Sequence, residues 1–235
     1  MERLLTGKKH AELYKPIDLG PQPYVIWDGN TSTLYFIYSE QLLKAGSTFT
    51  PQGADAPATI TNIWYGDAAI MPTVNSSGFY YRPIAVPFWN EYLYYDAQKV
   101  VFEPSFAVVK PTSTAGWFRY FSIEQFDGLN YLNTSEVTDM QSMFLSCSNL
   151  KGLDLSHFDT RMVTDMNGMF AGCSLIESLD VSHFNTGLVT NMSGMFDYCS
   201  ALQHLDIANF DTGCVTDISY MFNGCEADRK STRLN

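Results

Sequence analysis

The sequence predicts an α/β protein in which strand-and-helix repeats stack behind a β-rich module. A 26-residue repeat fills the second half of the 235-residue chain. Each copy joins a helical spacing of apolar residues to a short alternating stretch, and the first half carries alternating apolar segments separated by Gly, Pro and Asn. We therefore divide the chain into an N-terminal segment without an assigned element (1–20), a β-rich capping module (21–98), the repeats (99–225) and a non-native or disordered tail (226–235).

The capping module begins with the segment "YVIWDGNTSTLYFIYS". Large apolar residues alternate on both sides of Asp28-Gly29-Asn30, which predicts a β-hairpin. Two later segments, "ITNIWYG" and "EYLYYDAQKVVFEPSF", are rich in β-branched and aromatic residues and predict further strands. The module would close the N-terminal end of the stacked repeats.

Three complete copies of the repeat follow one another: "NTSEVTDMQSMFLSCSNLKGLDLSHF", "DTRMVTDMNGMFAGCSLIESLDVSHF" and "NTGLVTNMSGMFDYCSALQHLDIANF". A partial copy, "DTGCVTDISYMFNGC", comes next. A divergent copy precedes them, since Trp117-Phe118 lies 26 residues before Met143-Phe144, with Gly128 as an inserted residue. The aligned columns include Val137, Val163, Val189 and Val215; Met140, Met166, Met192 and Ile218; Cys147, Cys173, Cys199 and Cys225; and Leu153, Leu179 and Leu205.

Two periods alternate within each copy. In "VTDMNGMFAGC", Val163, Met166, Phe170 and Cys173 follow a helical spacing, which predicts a short helix. Gly168 and its counterpart Gly194 lower helix propensity, so this helix would be short or partly 3₁₀. Leu179 and Val181 then alternate with Asp180, which predicts a short half-buried strand. Strand, turn, helix and turn in 26 residues fit a leucine-rich-repeat solenoid, with Val163, Met166, Phe170, Cys173, Leu179 and Val181 as its core ladder.

The repeat "LDLSHFDTRMVTDMNGMFAGCS" and the lead-in "KVVFEPSFAVVKPTSTAGWF" resemble the BspA-like leucine-rich-repeat surface proteins of bacteria. This resemblance is strong over residues 99–225 and weaker over residues 21–98, where it rests on "YVIWDGNTSTLYFIYS". It implies a non-catalytic, secreted or surface-displayed protein that adheres to host proteins or to other cells. It implies no shared catalytic residues. Such proteins carry an export signal and an anchor, neither of which this sequence shows. Asp228 stands where the next coil would bring a leucine, and "DRKSTRLN" looks like a translated sequencing adapter, so we expect a fragment.

Composition excludes several classes of function. The formal net charge of −11 argues against nucleic-acid binding, which needs basic surface, and against docking on anionic membranes. No apolar run is long enough to span a bilayer. We find no nucleophile, dinucleotide or zinc-protease motif, and we predict neither an enzyme nor a cofactor.

One cysteine per coil forms a line, whereas a zinc site needs ligands that converge on one point. We predict buried thiols in this column, with a stacked disulfide or a metal as alternatives, and an exposed thiol at Cys214. The methionine column is interpreted as core packing, with soft-metal ligation as the alternative.

Two rows of acidic and amide side chains predict turn and surface roles, with calcium binding as the alternative. They are Asp154, Asp180 and Asp206, and Asp159, Asn185 and Asp211. Two threonine columns, beginning at Thr134 and Thr138, would tie turns together through bonds from hydroxyl to backbone.

The binding surface is predicted where the copies differ, on the outer side of the strands. The partner would be a protein or a glycan on host or neighbouring cells. The candidate contact residues are Lys151, Gly152, His157, Ser178, His183, Gln203, His204 and Asn209. The alternative function is carbohydrate binding by residues 21–98, where aromatic rings could stack on sugars, although we favour a role in a β core for these rings: Trp27, Trp64, Trp89, Tyr92, Tyr94 and Tyr95.

Overall fold

The computed structural model describes residues 22–40, 43–65, 73–74, 85–86 and 96–227. Its elements are, in chain order, strands β1 (Gln22–Asp28), β2 (Thr33–Ser39), β3 (Thr48–Phe49), β4 (Ala58–Thr59), β5 (Asn62–Tyr65), β6 (Thr73–Val74), β7 (Ala85–Val86), β8 (Lys99–Phe102), β9 (Gln125–Asp127), β10 (Ser178–Leu179) and β11 (His204–Leu205), with 3₁₀ helices at Pro104–Val108 and Leu129–Tyr131.

The largest sheet is mixed, in the order β5-β1-β2-β8-β9. β1 pairs antiparallel with β2 and with β5, and the predicted hairpin is confirmed by the β1–β2 register from Gln22↔Ser39 to Asp28↔Thr33. β8 then pairs parallel with both β2 and β9. Because β9 lies beyond residue 98, a single sheet joins the predicted capping module to the repeats.

The predicted α/β class, a leucine-rich-repeat solenoid with a helix in each coil, is wrong. The described ranges contain no α-helix, and the strands within the complete repeats, β10 and β11, are two residues long. The segment from Val163 to Cys173, predicted as a helix, is a chain of overlapping turns. Within it, Met169 N donates to Met166 O and Cys173 N donates to Phe170 O.

These turns explain why the helical spacing was misleading. Turns closed by i to i+3 bonds also bring residues three or four apart to the same side, so they share the apolar spacing of a helix. Gly168 and Gly172 have φ of +59° and +73°, as the third residue of a type II turn requires. The glycines predicted to weaken a helix therefore form the turns that replace it.

The copies stack in register through their backbones. From Thr114 onward, alternate N–H groups donate to carbonyls one copy later, as Met166 N does to Asn191 O and Phe170 N to Met195 O. The carbonyls of the intervening residues accept from the preceding copy, as Met169 O does from Phe144 N. Across these turn residues, each layer therefore directs N–H donors toward the next copy and carbonyl acceptors toward the preceding copy. We call this arrangement, from Thr112 to Cys225, the repeat stack.

A column of aromatic rings fills the centre of the repeat stack. Phe144, Phe170 and Phe196 are fully buried, and their neighbouring centroids lie 5.6 and 5.7 Å apart. The column continues to Phe118 and to Phe222, and Phe36 of β2 joins the same cluster through Trp117. One core therefore runs from the mixed sheet into the repeats. All six residues predicted as the core ladder, Val163, Met166, Phe170, Cys173, Leu179 and Val181, lie in it at no more than 4% exposure.

The inserted Gly128 is where the sheet meets the repeat stack. It follows β9 directly and has φ of +68°. A Cβ atom at this position would lie 2.2 Å from the carbonyl oxygen of Phe102 in β8. Only glycine allows the chain to turn here while touching the sheet.

Candidate interaction surface

The repeat stack presents two adjacent columns of exposed side chains beside the short strands. Ser178 of β10 pairs with His204 of β11, and the N–H of Gln203 donates to the carbonyl of Glu177 at 2.8 Å. Matching positions therefore lie in neighbouring layers. We call the six exposed residues in these columns the variable row: Lys151, Gly152, Glu177, Ser178, Gln203 and His204. Cationic, anionic and neutral groups lie side by side in it.

The remaining predicted contact residues belong to a third column, which ties layers together. Nε2 of His183 lies 2.9 Å from the carbonyl oxygen of Leu155, and Nδ2 of Asn209 donates to the carbonyl of Ser182 at 3.1 Å. Both side chains are exposed, yet each bonds to the preceding layer. These two side chains therefore have a structural role, besides any role in binding.

His157, the first member of that column, differs from the other two. Both of its ring nitrogens are shielded from solvent, and neither makes a hydrogen bond within the described part of the chain. Its ring packs edge-to-face against Phe158 at 5.0 Å. Burial lowers the pKa of His157, although the nearby Leu129 carbonyl and Asp154 carboxylate act in the opposite direction. The neutral imidazole therefore predominates at pH 7.

The column cysteines are buried free thiols at Cys147, Cys173 and Cys199, while Cys214 is an exposed thiol. Each column thiol donates to the carbonyl 29 residues earlier, for example from Cys173 Sγ to Phe144 O at 3.2 Å. Burial raises the pKa of the three buried thiols above its usual range. Cys147, Cys173 and Cys199 are therefore protonated thiols that link layers by weak hydrogen bonds.

The two acidic and amide rows make local turns. Oδ1 of Asp154, Asp180 and Asp206 each accepts the backbone N–H two residues on, at 3.0 Å. The second row, Asp159, Asn185 and Asp211, repeats this bond at 2.8–3.1 Å. Among the residues that the structure describes, no three His, Cys, Asp or Glu side chains converge as a metal site would require. The turn interpretation accounts for these bonds directly.

The threonine columns join layers in the predicted manner. Oγ1 of Thr160 donates to the carbonyl of Asn185 at 3.0 Å and accepts its N–H at 2.8 Å. In the second column, Oγ1 of Thr164 donates to the carbonyl of Thr138 at 3.0 Å, beside a backbone bond to the same oxygen. Thr160 is buried and Thr164 is exposed, so the two columns differ in their access to water.

Sequence reasoning missed a second exposed row. Met162 and Leu188 are 50% and 51% exposed, and Cys214 continues their column. The same column begins with Lys110 and Glu136, which form an ion pair at 3.1 Å. The variation of this column between copies is visible in the sequence, but a leucine-rich-repeat coil places the binding surface on the strand side and so does not predict this row.

A cleft of about 270 Å³ lies between β9 and the extended segment that follows Lys151. We call it the junction cleft; it is lined by Glu124, Gln125, Phe126, Gly128, Leu129, Asn130, Gly152, Leu153 and Asp154. It opens where the row of strands is interrupted, because β9 pairs with β8 and β10 pairs with β11, while residues 151–154 belong to neither sheet.

The aromatic residues considered as sugar contacts fall into two groups. Trp27 is 7% exposed within the core, and Trp64 packs against that core while partly buried. Trp89, Tyr92, Tyr94 and Tyr95 lie outside the described residues. The described aromatic side chains of this module therefore contribute to packing. No helix in the described ranges has the length and apolarity needed to cross a bilayer.

Comparison with known proteins gives one match. Residues 112–233, more than half of the chain, match the family model described as "Mycoplasma protein of unknown function, DUF285". No curated protein and no solved structure matches the chain. The matched range begins where the repeat stack begins.

Proposed function

Because the chain belongs to the DUF285 family, whose function is not assigned, we propose from its surface that it is a non-catalytic interaction protein. It would bind a protein or a glycan on host or neighbouring cells through the variable row. The motif resemblance to BspA-like surface proteins supports an adhesive role and a secreted or cell-surface location. The uniform chemistry of the core columns supports a scaffold that presents variable side chains.

One observation carries the proposal. Along the variable row, Lys151, Glu177 and Gln203 occupy equivalent exposed positions and differ in charge. Four residues further along the first two copies, Leu155 and Val181 occupy equivalent buried positions and remain apolar. The stack thus holds side chains of different chemistry at a fixed spacing on a rigid support, which favours recognition over chemistry.

The proposal is tested by screening the purified chain against an array of extracellular-matrix proteins and glycans. The strongest ligand is then titrated by biolayer interferometry. Replacing Lys151, Glu177 and Gln203 together by Ala should weaken binding by about tenfold or more, because charged contacts at an interface centre are lost.

The matched control replaces Met162 and Leu188, which lie on the second exposed row, by Ser. That variant should bind as the wild-type chain does, with both variants checked by thermal unfolding. If the array gives no saturable ligand, or if only the control variant loses binding, the variable row is not the binding surface.

A further inference from the structure

We propose that the junction cleft binds an extended, basic polypeptide segment, which pairs through its main chain with residues 151–154. This inference rests on the proposed function, because Gly152 belongs to the variable row. Three observations on the structure lead to it, and each concerns a different property of the cleft: its unpaired backbone, its missing side chain and its charge.

The first observation is the unpaired backbone. The N–H groups of Gly152, Leu153 and Asp154 make no hydrogen bond to any residue that the structure describes, and neither do the carbonyls of Gly152 and Leu153. The equivalent residues in the next two layers, which form β10 and β11, are paired in parallel. A strand-like segment with free donors and acceptors is a template for another chain, which is how β-augmentation provides affinity.

The second observation is the missing side chain at Gly152. The equivalent residues in the next copies are Ser178 and His204, which carry side chains on paired strands. At Gly152, a Cβ atom would have no heavy atom within 4 Å, and no positive φ requires glycine there. The glycine leaves the backbone accessible at the one copy where the strand is unpaired.

The third observation is the charge of the lining. Glu124 and Asp154 border the cleft, and within the described part of the chain no basic residue lines it and neither carboxylate forms an ion pair. Bonds from the hydroxyl and the N–H of Ser156 lower the pKa of Asp154, so it is ionised at neutral pH. Arginine or lysine side chains on the bound segment would complement these two carboxylates.

The experiment uses the full chain and a short, capped, fluorescent peptide of alternating threonine and arginine. Fluorescence anisotropy should show saturable binding, and a peptide with glutamate in place of arginine should bind at least about tenfold more weakly. Methylating alternate backbone nitrogens of the threonine–arginine peptide should have a similar effect, because it removes the donors that strand pairing needs.

Three variants test the location of the site. Gly152→Trp fills the cleft and should weaken peptide binding by about tenfold or more. Ala208→Trp adds the same ring at an exposed turn and should leave binding unchanged. Glu124→Gln should weaken binding by about threefold at low salt and by less at high salt, since exposed charges are screened.

Equal binding to the wild-type chain and to Gly152→Trp would overturn the inference, as would equal binding of the methylated peptide. Oligosaccharide binding that Gly152→Trp abolishes, without peptide binding, would also overturn it and would assign the cleft to sugars. If the array ligand still depends on Lys151, Glu177 and Gln203 while the peptide fails, the inference fails and the proposed function stands. If the peptide binds as expected and the array gives no ligand, the inference about the junction cleft stands, and the proposal that the variable row binds host or cell-surface macromolecules fails.

Discussion

The mixed sheet and the repeat stack hold their layers together by different backbone geometries. In the sheet, β1 pairs on both sides and its side chains alternate between two apolar clusters. In the repeat stack, residues with positive φ recur every 26 positions, and the N–H groups that point out of these turns donate to carbonyls of the next layer. The sheet therefore depends on extended residues, whereas the stack depends on turns and on one column of rings.

This difference predicts that the repeat stack is most sensitive at its central ring column. Phe170→Ala should lower the free energy of unfolding by about 3–5 kcal/mol, because Phe170 is fully buried between two rings. Phe222→Ala should lower it by about half as much, since Phe222 is partly buried and stacks on Phe196 alone among the described rings. Urea unfolding measures both, and equal losses would contradict the idea that stacking on both faces matters.

The junction between the two regions should be nearly as sensitive. Gly128→Ala should lower the free energy of unfolding by about 2–4 kcal/mol, because its Cβ would collide with the Phe102 carbonyl and its φ is positive. Gly152→Ala is the matched control and should change stability by less than about 0.5 kcal/mol. Thermal unfolding compares the two, and a tolerated Gly128→Ala would show that the sheet and the stack can separate slightly at little cost.

The bonds between layers should differ with their access to water. Thr160→Val removes a buried hydroxyl that bonds both the N–H and the carbonyl of Asn185, and should cost about 1–3 kcal/mol. Thr164→Val removes an exposed hydroxyl whose acceptor keeps its backbone bond, and should cost less than about 0.5 kcal/mol. Urea midpoints at constant slope test the pair, and a larger loss for Thr164→Val would reverse the assignment.

The repeat columns predicted burial better than local conformation, for a physical reason. Equivalent positions in stacked layers share an environment, so the apolar columns identified the core without any assumption about helices. Local conformation depends on φ, and the residues with positive φ include Ser142 and Tyr198 as well as glycines. Because those columns mix glycine with residues that avoid positive φ, the turns could not be distinguished from helices by spacing alone.

The junction cleft was not predicted from the sequence, and neither were the hydrogen bonds by which His183 and Asn209 join neighbouring layers. The insertion at Gly128 was visible in the alignment of the copies, but not its effect on strand pairing. That effect depends on where β9 ends relative to residues 151–154, which is a property of the assembled layers. In the same way, His183 and Asn209 varied as a binding residue would, while the carbonyls they contact lie 28 and 27 residues away.

The smallest predicted effect concerns the carboxylates of Asp139 and Asp165, which occupy equivalent positions in the two layers after that of Ser113. Burial and the neighbouring charge of Asp165 raise the pKa of Asp139, although a hydrogen bond from the Gln141 N–H acts in the opposite direction. Asn191 occupies the same column two layers on. Asp139→Asn keeps the acceptor and removes the charge, so it should stabilise the chain at pH 7 by up to about 1 kcal/mol.

The sign of the pH dependence separates this explanation from a simple packing effect. A raised folded-state pKa means that ionised Asp139 destabilises the fold above that pKa, so the gain from Asp139→Asn should disappear as the pH falls below about 4, where the carboxyl is protonated in both states. Asp180, whose pKa is lowered by bonds from the Ser182 hydroxyl and N–H, is the opposite case. Asp180→Asn should lose stability at pH 7, and that loss should vanish as the pH falls through the lowered pKa. Unfolding midpoints between pH 3 and pH 8 measure both variants, and a gain for Asp139→Asn that is constant across this range would exclude an electrostatic origin.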